Sequence, residues 1–244
     1  MDSPIQVPVR ALSLDVGNTL IFPHPSLGRV YAGVGARHGL HLDPAVVERR
    51  FEAAWRDTQA RQTGLIYGTT HEQALGFWYQ VNRGVLCDAG LDDRQIRALV
   101  DDLYTTFGRA HAWRVNPGLE GLLAACRAHR LRLAIVSNWD LRLRPLLEEL
   151  GFTRWAHPVL ISAEVGCEKP ARGLFDLAIR ALGAMPGQIL HIGDTWADDV
   201  LGATACGMQA AWLNPAGKPS PDTTATVHDL RRLEDAVRLL GPQR

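Results

Sequence analysis

Residues 12–22 read LSLDVGNTLIF, an apolar run that stops at Asp15, Gly17, Asn18 and Thr19. Ligands of open α/β sheets bind outside the carboxyl ends of the strands, so an acid that ends a buried strand stands where chemistry is done. Further strand-like runs begin beyond Asn116: LRLAIVSN (131–138), PVLIS (158–162), QILHIGD (188–194) and QAAWLN (209–214). They are continuously apolar, as strands covered on both faces must be. Helical stretches near 118–129, 141–150, 173–182, 198–206 and 230–240 alternate with them. Such β-α alternation predicts a Rossmann-like parallel sheet with helices on both faces, in the α/β class.

Between the first strand and Asn116 the pattern changes. PAVVERRFEAAWRDTQARQ, HEQALGFWYQVN and DDRQIRALVDDLYTTFGRAH carry helical periodicity, with no convincing strand among them. The reading is therefore a core of residues 1–22 and 114–244, interrupted by an all-helical domain at 23–113. The Pro- and Ser-rich stretch 214–225 reads as an exposed loop before a last strand and helix.

Composition bounds the partners. The 244 residues balance 26 Lys and Arg against 26 Asp and Glu. With zero net charge, neither nucleic acid nor an anionic membrane is expected as partner. The four cysteines form no C-x-x-C pair, the first residues lack a signal-peptide pattern, and no long apolar run suggests a span, so a reducing cytoplasm is the expected setting. The cysteines are expected to be small buried hydrophobes. Oligomeric state leaves no mark on the sequence.

Each strand end can be asked what it presents. The first presents Asp15, LRLAIVSN presents Ser137 and Asn138, and QILHIGD presents Asp194, with Asp198 and Asp199 one turn on. Lys169 lies in the loop EVGCEKPARG, and with Lys218 it is one of only two lysines in an arginine-rich chain. A lysine there suggests that a compact ammonium is wanted rather than a planar fork. Carboxylates with a third oxygen donor suit Mg²⁺, while a hydroxyl and an ammonium can hold phosphoryl oxygens. A carboxylate is also a covalent nucleophile in aspartyl-phosphate chemistry, so phosphoryl transfer is the natural reading.

These four segments resemble the four motifs of the haloacid dehalogenase superfamily, in order and on the required elements. DVGNTL, the loop after it and RLAIVSNWDLRL further resemble the subgroup called haloacid dehalogenase-like hydrolase domain-containing protein three. The resemblance implies an early all-α cap, Asp15 as nucleophile and Thr19 as the hydroxyl that orients the first loop. It implies Ser137 and Lys169 as phosphate ligands, with Asn138 beside them. Mg²⁺ would be held by Asp15, the Gly17 carbonyl and Asp194, with Asp199, or alternatively Asp198, as supporting acid. The substrate would be a small phosphorylated molecule.

Phosphatases of this superfamily carry a second Asp two positions after the nucleophile, and this chain has Gly17 there. General acid–base help is worth about 10²–10⁴ in rate, or roughly 3–5 kcal/mol of barrier. Four readings are open. One is a phosphatase whose leaving group needs little protonation or which borrows an acid, His24 being nearest in sequence. A second is a 2-haloacid dehalogenase, in which the Asp194 acid is not kept. A third, a phosphonatase, needs a cap lysine, and residues 23–113 contain none. The fourth is a non-catalytic phosphate- or metal-binding protein on the same fold. In the helical domain, Trp55, Arg61, Tyr67, His71, Trp78 and Tyr79 can line a pocket or form the domain's own core, and His191 reads as structural.

Overall fold

A computed structural model describes residues 7–221 and 227–240. The chain enters through β1 (Ala11–Leu14) and passes by β2 (Ile21–Pro23) into helices α1 (Leu27–Arg37), α2 (Pro44–Arg61), α3 (His71–Val85) and α4 (Asp93–Phe107). From β3 (Trp113–Val115) it continues through α5 (Leu119–Ala128), β4 (Arg132–Ser137), α6 (Leu143–Glu149), β5 (Val159–Ile161) and α7 (Ser162–Val165). It ends with α8 (Arg172–Leu182), β6 (Ile189–Gly193), α9 (Gly202–Ala205), β7 (Gln209–Leu213) and β8 (His228–Leu230).

Six strands form one parallel sheet in the order β5-β4-β1-β6-β7-β8. Counted along this sheet's own strands the order is 3-2-1-4-5-6, the doubly wound arrangement whose switch point falls beside its first strand. That point lies between β1 and its neighbours, with Leu14 opposite Ile135 of β4 and Ile192 of β6. Leu12, Leu14, Ala134, Ile135, Val136, Leu190 and Ile192 are wholly buried, which explains the uninterrupted apolar runs. The expected last helix, Leu233–Leu240, winds with the tighter 3₁₀ pitch. Of the expected loop, residues 215–221 are exposed, and 222–225 lie outside the described residues.

The molecule divides into two compact units. The sheet unit runs to Ile21, takes Val115–Asn138 and resumes at Phe152. The helical unit holds Phe22–Arg114 together with Trp139–Gly151. Its helices start where their caps dictate: Asp43 accepts from the first turn of α2 with Pro44 at the first position, and α3 and α4 open with Thr70/Gln73 and Asp92/Gln95 capping boxes. Tyr31, Val34, Ala74, Phe77, Val81, Leu99 and Leu103 form its centre, joined by Tyr67 and flanked by Trp55 and Trp78. The cap-region aromatics are thus largely core, whereas Arg61 and His71 are exposed.

A buried ion pair explains why residues 139–151 join the helices. Arg142 clasps Asp140 with Nε–Oδ1 at 2.8 Å and Nη2–Oδ2 at 2.6 Å. Its Nη1 donates to the Tyr104 carbonyl at 2.8 Å, its guanidinium lies 3.7 Å from the centre of the Tyr104 ring, and Trp78 Nε1 donates to Asp140 at 3.1 Å. A bidentate pair with its remaining donors and acceptors filled can tolerate burial. No helix among the described residues is long and apolar enough to cross a membrane. Cys126 and Cys206 are buried, but Cys87 is exposed, contrary to the expectation for all four.

Candidate active site

All of the candidate side chains that end strands gather in the sheet unit at the switch point. Lys169 Nζ donates to Asp15 Oδ1 at 2.7 Å and to Asp199 Oδ1 at 2.5 Å. Ser137 Oγ donates to the same Asp15 oxygen at 3.2 Å. Carboxylate oxygens of Asp15, Asp194 and Asp199 lie within 4.8 Å of one another. Two buried acids therefore share one ammonium, with a third, half-buried acid beside them.

Backbone geometry sets this up. The Asp15 N–H donates to the Ile192 carbonyl at 3.0 Å, fixing the acid at the last rung of the ladder. The next loop turns sharply, with Asn18 in the left-handed region (φ 53°), a conformation that asparagine tolerates better than most residues. Its hydrogen bonds are Leu20 N–H and Ile21 N–H to the Val16 carbonyl and Asn18 N–H to the Ile21 carbonyl. The Thr19 hydroxyl, expected to orient the loop, is buried without a hydrogen-bond partner. Asn116 holds the loop instead: Nδ2 donates to the Thr19 carbonyl at 2.8 Å, and Oδ1 accepts from Gly118 N–H at 2.9 Å. Sequence reading missed Asn116 because N-P-G signals only a turn.

Asn138 spends its amide on the Lys169 backbone. Its Oδ1 accepts from the Lys169 N–H at 2.7 Å and its Nδ2 donates to the Lys169 carbonyl at 2.9 Å. The motif after β4 thereby locates the loop that carries the lysine. Two glycines permit the rest. A Cβ on Gly193 would sit 2.2 Å from Asp199 Cγ, and one on Gly202 would sit 2.7 Å from the Phe175 ring and 3.1 Å from Pro170 Cα. Trp196–Leu201 winds as a wide π-type turn, and Asp199 Oδ2 accepts from the Thr195 N–H at 2.9 Å. Trp212 Nε1 donates to the Asp194 carbonyl at 2.8 Å. His24 belongs to the helical unit and is exposed, its N–H bonded to the Ala112 carbonyl at 2.8 Å.

The electrostatics follow from crowding. Burial raises the Asp15 pKa most; Lys169 opposes it and Asp199 adds to it, leaving a net upward shift. Burial would lower Lys169, but the charges of Asp15 and Asp199 and their hydrogen bonds outweigh it, so the ammonium keeps its proton. Burial works against an ionised Asp199 too, yet Lys169 and the hydrogen bond from His191 hold its pKa below the ordinary value. Asp194 is pushed up to about 8, chiefly by burial and then by the charges of Asp15 and Asp199. Half-buried Asp198 is pushed up to about 6, by burial first. A site so rich in acids is short of positive charge, and hard carboxylate oxygens at this spacing fit a divalent cation.

That shortage has a measurable consequence. An acid whose folded pKa lies above its ordinary 3.8 keeps a proton that the unfolded chain has lost, so stability falls as pH rises through that interval. In chelator, the melting temperature of the protein should decline from about pH 4 towards about pH 8, the span set by Asp194. Asp194→Asn should flatten this decline, and an unchanged slope in that variant would remove Asp194 as its source.

A doubly wound α/β sheet that gathers a strand-ending acid, a lysine and further acids at its switch point has the place and the groups for chemistry. The sequence pattern of the haloacid dehalogenase-like hydrolase family matches residues 9–207, and the chain belongs to that family. It is 34% identical over 205 residues to the human haloacid dehalogenase-like hydrolase domain-containing protein 3, covering 83% of this chain and 80% of the relative. It is 30% identical over 249 residues to a phosphoserine phosphatase of Thermus thermophilus, covering 92% and 98%. A HAD-hydrolase of Bacillus subtilis bound to magnesium shares the fold, with a TM-score of 0.73 at 18% identity over 97% of this chain and all of that one.

Proposed function

We propose that this hydrolase is a Mg²⁺-dependent phosphatase of a small phosphorylated molecule, acting through an aspartyl-phosphate on Asp15. The observation that carries the reading is the Lys169 ammonium bonded to both Asp15 and Asp199, beside Ser137 and Asp194. The Thermus relative's phosphatase name supports the substrate class. Residues 23–113 form a cap domain whose side chains choose the substrate.

Asp15 attacks phosphorus, the bond from phosphorus to the leaving oxygen breaks, and water later cleaves the acyl phosphate to release inorganic phosphate and restore Asp15. Lys169 and Ser137 hold the phosphoryl oxygens as charge moves onto them. Asn116 keeps the loop after Asp15 in register through the Thr19 carbonyl, and Asn138 sets the Lys169 backbone. Asp15, the Gly17 carbonyl and Asp194 would hold Mg²⁺, with Asp199 in support. When bound there it would supply the positive charge that keeps these acids ionised and neutralises the phosphoryl oxygens.

The leaving group decides how much Gly17 matters. Aryl and acyl phosphates leave without a proton donor, whereas alkyl phosphates need one. Gly17 has no positive φ, so its backbone does not demand glycine. Gly17→Asp should raise turnover of alkyl phosphates by about 10²-fold and that of aryl phosphates far less. An equal effect on both would show that protonation is not what this position withholds. The reading itself is tested by inorganic phosphate release from aryl, acyl and alkyl phosphates with and without Mg²⁺. Mg²⁺-dependent release supports it; halide release from 2-haloacids with no phosphate release replaces it.

A further inference from the structure

His191 stands opposite Ser13 in the β1–β6 register, wholly buried, and belongs to none of the roles assigned above. Its Nδ1 lies 2.9 Å from Ser13 Oγ and its Nε2 lies 3.1 Å from Asp199 Oδ1. The Phe175 ring packs edge-on against the imidazole at 5.1 Å between centroids, holding its plane. A buried histidine must satisfy both ring nitrogens, and here each has one partner.

The partners fix which nitrogen carries the proton. Asp199 Oδ1 accepts from the Lys169 ammonium and Oδ2 accepts from the Thr195 N–H, both groups that can only donate. With both oxygens accepting, the carboxylate has no proton of its own to give. Nε2 is therefore the donor to Asp199, and in the neutral ring Nδ1 accepts from the Ser13 hydroxyl. The chain of contacts runs Ser13, His191, Asp199, Lys169, Asp15, from the middle of one strand to the acid at its end.

From this geometry we infer that His191, oriented by Ser13 so that its Nε2–H meets Asp199, is a positioning residue that locks the Asp199 carboxylate so that Lys169 is pinned against Asp15. The inference goes beyond the proposed phosphatase reading, on which it relies only for its kinetic consequence. Without the imidazole, Oδ1 of Asp199 loses one of its two donors and the carboxylate can rotate about its Thr195 bond. The lysine would then lose its fixed place between two acids. Partners of this outer kind typically cost about 10- to 100-fold in activity when removed.

The experiment compares wild type, His191→Phe, His191→Gln and Ser13→Ala. A glutamine amide can reach where Nε2 stood and donate to Asp199, whereas phenylalanine fills the space without a donor. Nitrogen NMR of wild type should show a proton-bearing Nε2 on His191, and the Lys169 ammonium should give a signal protected from exchange. His191→Phe should lose that ammonium signal and about 10- to 100-fold in kcat with KM little changed, and His191→Gln should restore both. Ser13→Ala should move in the same direction by less, which keeps the inference testable if the phenylalanine variant folds poorly. A bare Nε2, or an ammonium signal and kcat unaltered in His191→Phe, overturns it. Because the two NMR signals need no turnover, a protein that shows both but releases no phosphate sinks the phosphatase reading and leaves the positioning intact.

Discussion

Asp15→Asn should abolish phosphate release, with a loss of at least about 10⁴-fold, and leave the fold as stable as wild type or more so. The two halves of this prediction have separate causes. An amide cannot form the acyl phosphate, so the covalent route closes. Stability is governed instead by the cost of an ionised carboxylate in this place, which burial and Asp199 make unfavourable despite Lys169. Asparagine removes that cost, and its Oδ1 can still accept from Lys169 and Ser137, which now meet on Asp15 Oδ1. Steady-state phosphate assays and thermal unfolding of the same preparation check both halves. Retained turnover would remove the nucleophile assignment, and a marked loss of stability would contradict the electrostatic picture.

Lys169→Met carries the largest expected effect on stability. Lys169 is the cation between Asp15 and Asp199, both of them buried. Breaking a buried pair by deleting one partner typically costs about 3–5 kcal/mol, because the remaining charge is left uncompensated. The pH dependence has a definite sign. Lys169 has a pKa raised above its ordinary 10.5, so its contribution is fully present at neutral pH. Asp199 owes its lowered pKa mainly to Lys169, against the opposing effect of burial. Once the lysine is gone, Asp15 and Asp199 can relieve their repulsion by taking up protons as pH falls. The deficit of Lys169→Met relative to wild type should therefore be greatest near pH 7 and smaller near pH 5, as read by chemical denaturation. A deficit independent of pH would mean that lost packing, not charge, sets the cost. Lys169→Arg should not rescue activity, because a planar fork does not replace a compact ammonium reaching two carboxylates.

The strands of the sheet and the residues that end them are legible because each depends on a short stretch of sequence. A continuous apolar run marks a strand buried on both faces, and the polar residue that ends it marks the sheet edge. Asp15, Ser137 and Asp194 can be named this way, and Lys169 stands out as one of two lysines in an arginine-rich chain. What the sequence concealed depends on partners far along the chain. Asp140 and Arg142 look like surface charges in NWDLRL, and only Trp78 and Tyr104 show why they are buried and why residues 139–151 group with the helices. His191 looked structural because its partners, Ser13 and Asp199, are separated from it by 178 and 8 positions. A signal was present: a histidine inside an apolar strand must find hydrogen bonds, and a serine occupies the middle of the apolar run LSL. The resemblance sets Asn138 beside the phosphate ligands, and the structure shows its amide spent on Lys169, a reciprocal bond that no local pattern announces.

The most direct test of the account is to identify the residue that carries the phosphoryl group. The protein is mixed with Mg²⁺ and an aryl phosphate and quenched in acid during turnover, and its peptides are analysed by mass spectrometry after borohydride reduction. The account predicts a phosphorylated, reducible carboxylate in the peptide containing DVGNTL, located at Asp15 and missing from Asp15→Asn. Sustained phosphate release in wild type with that peptide never modified would contradict it.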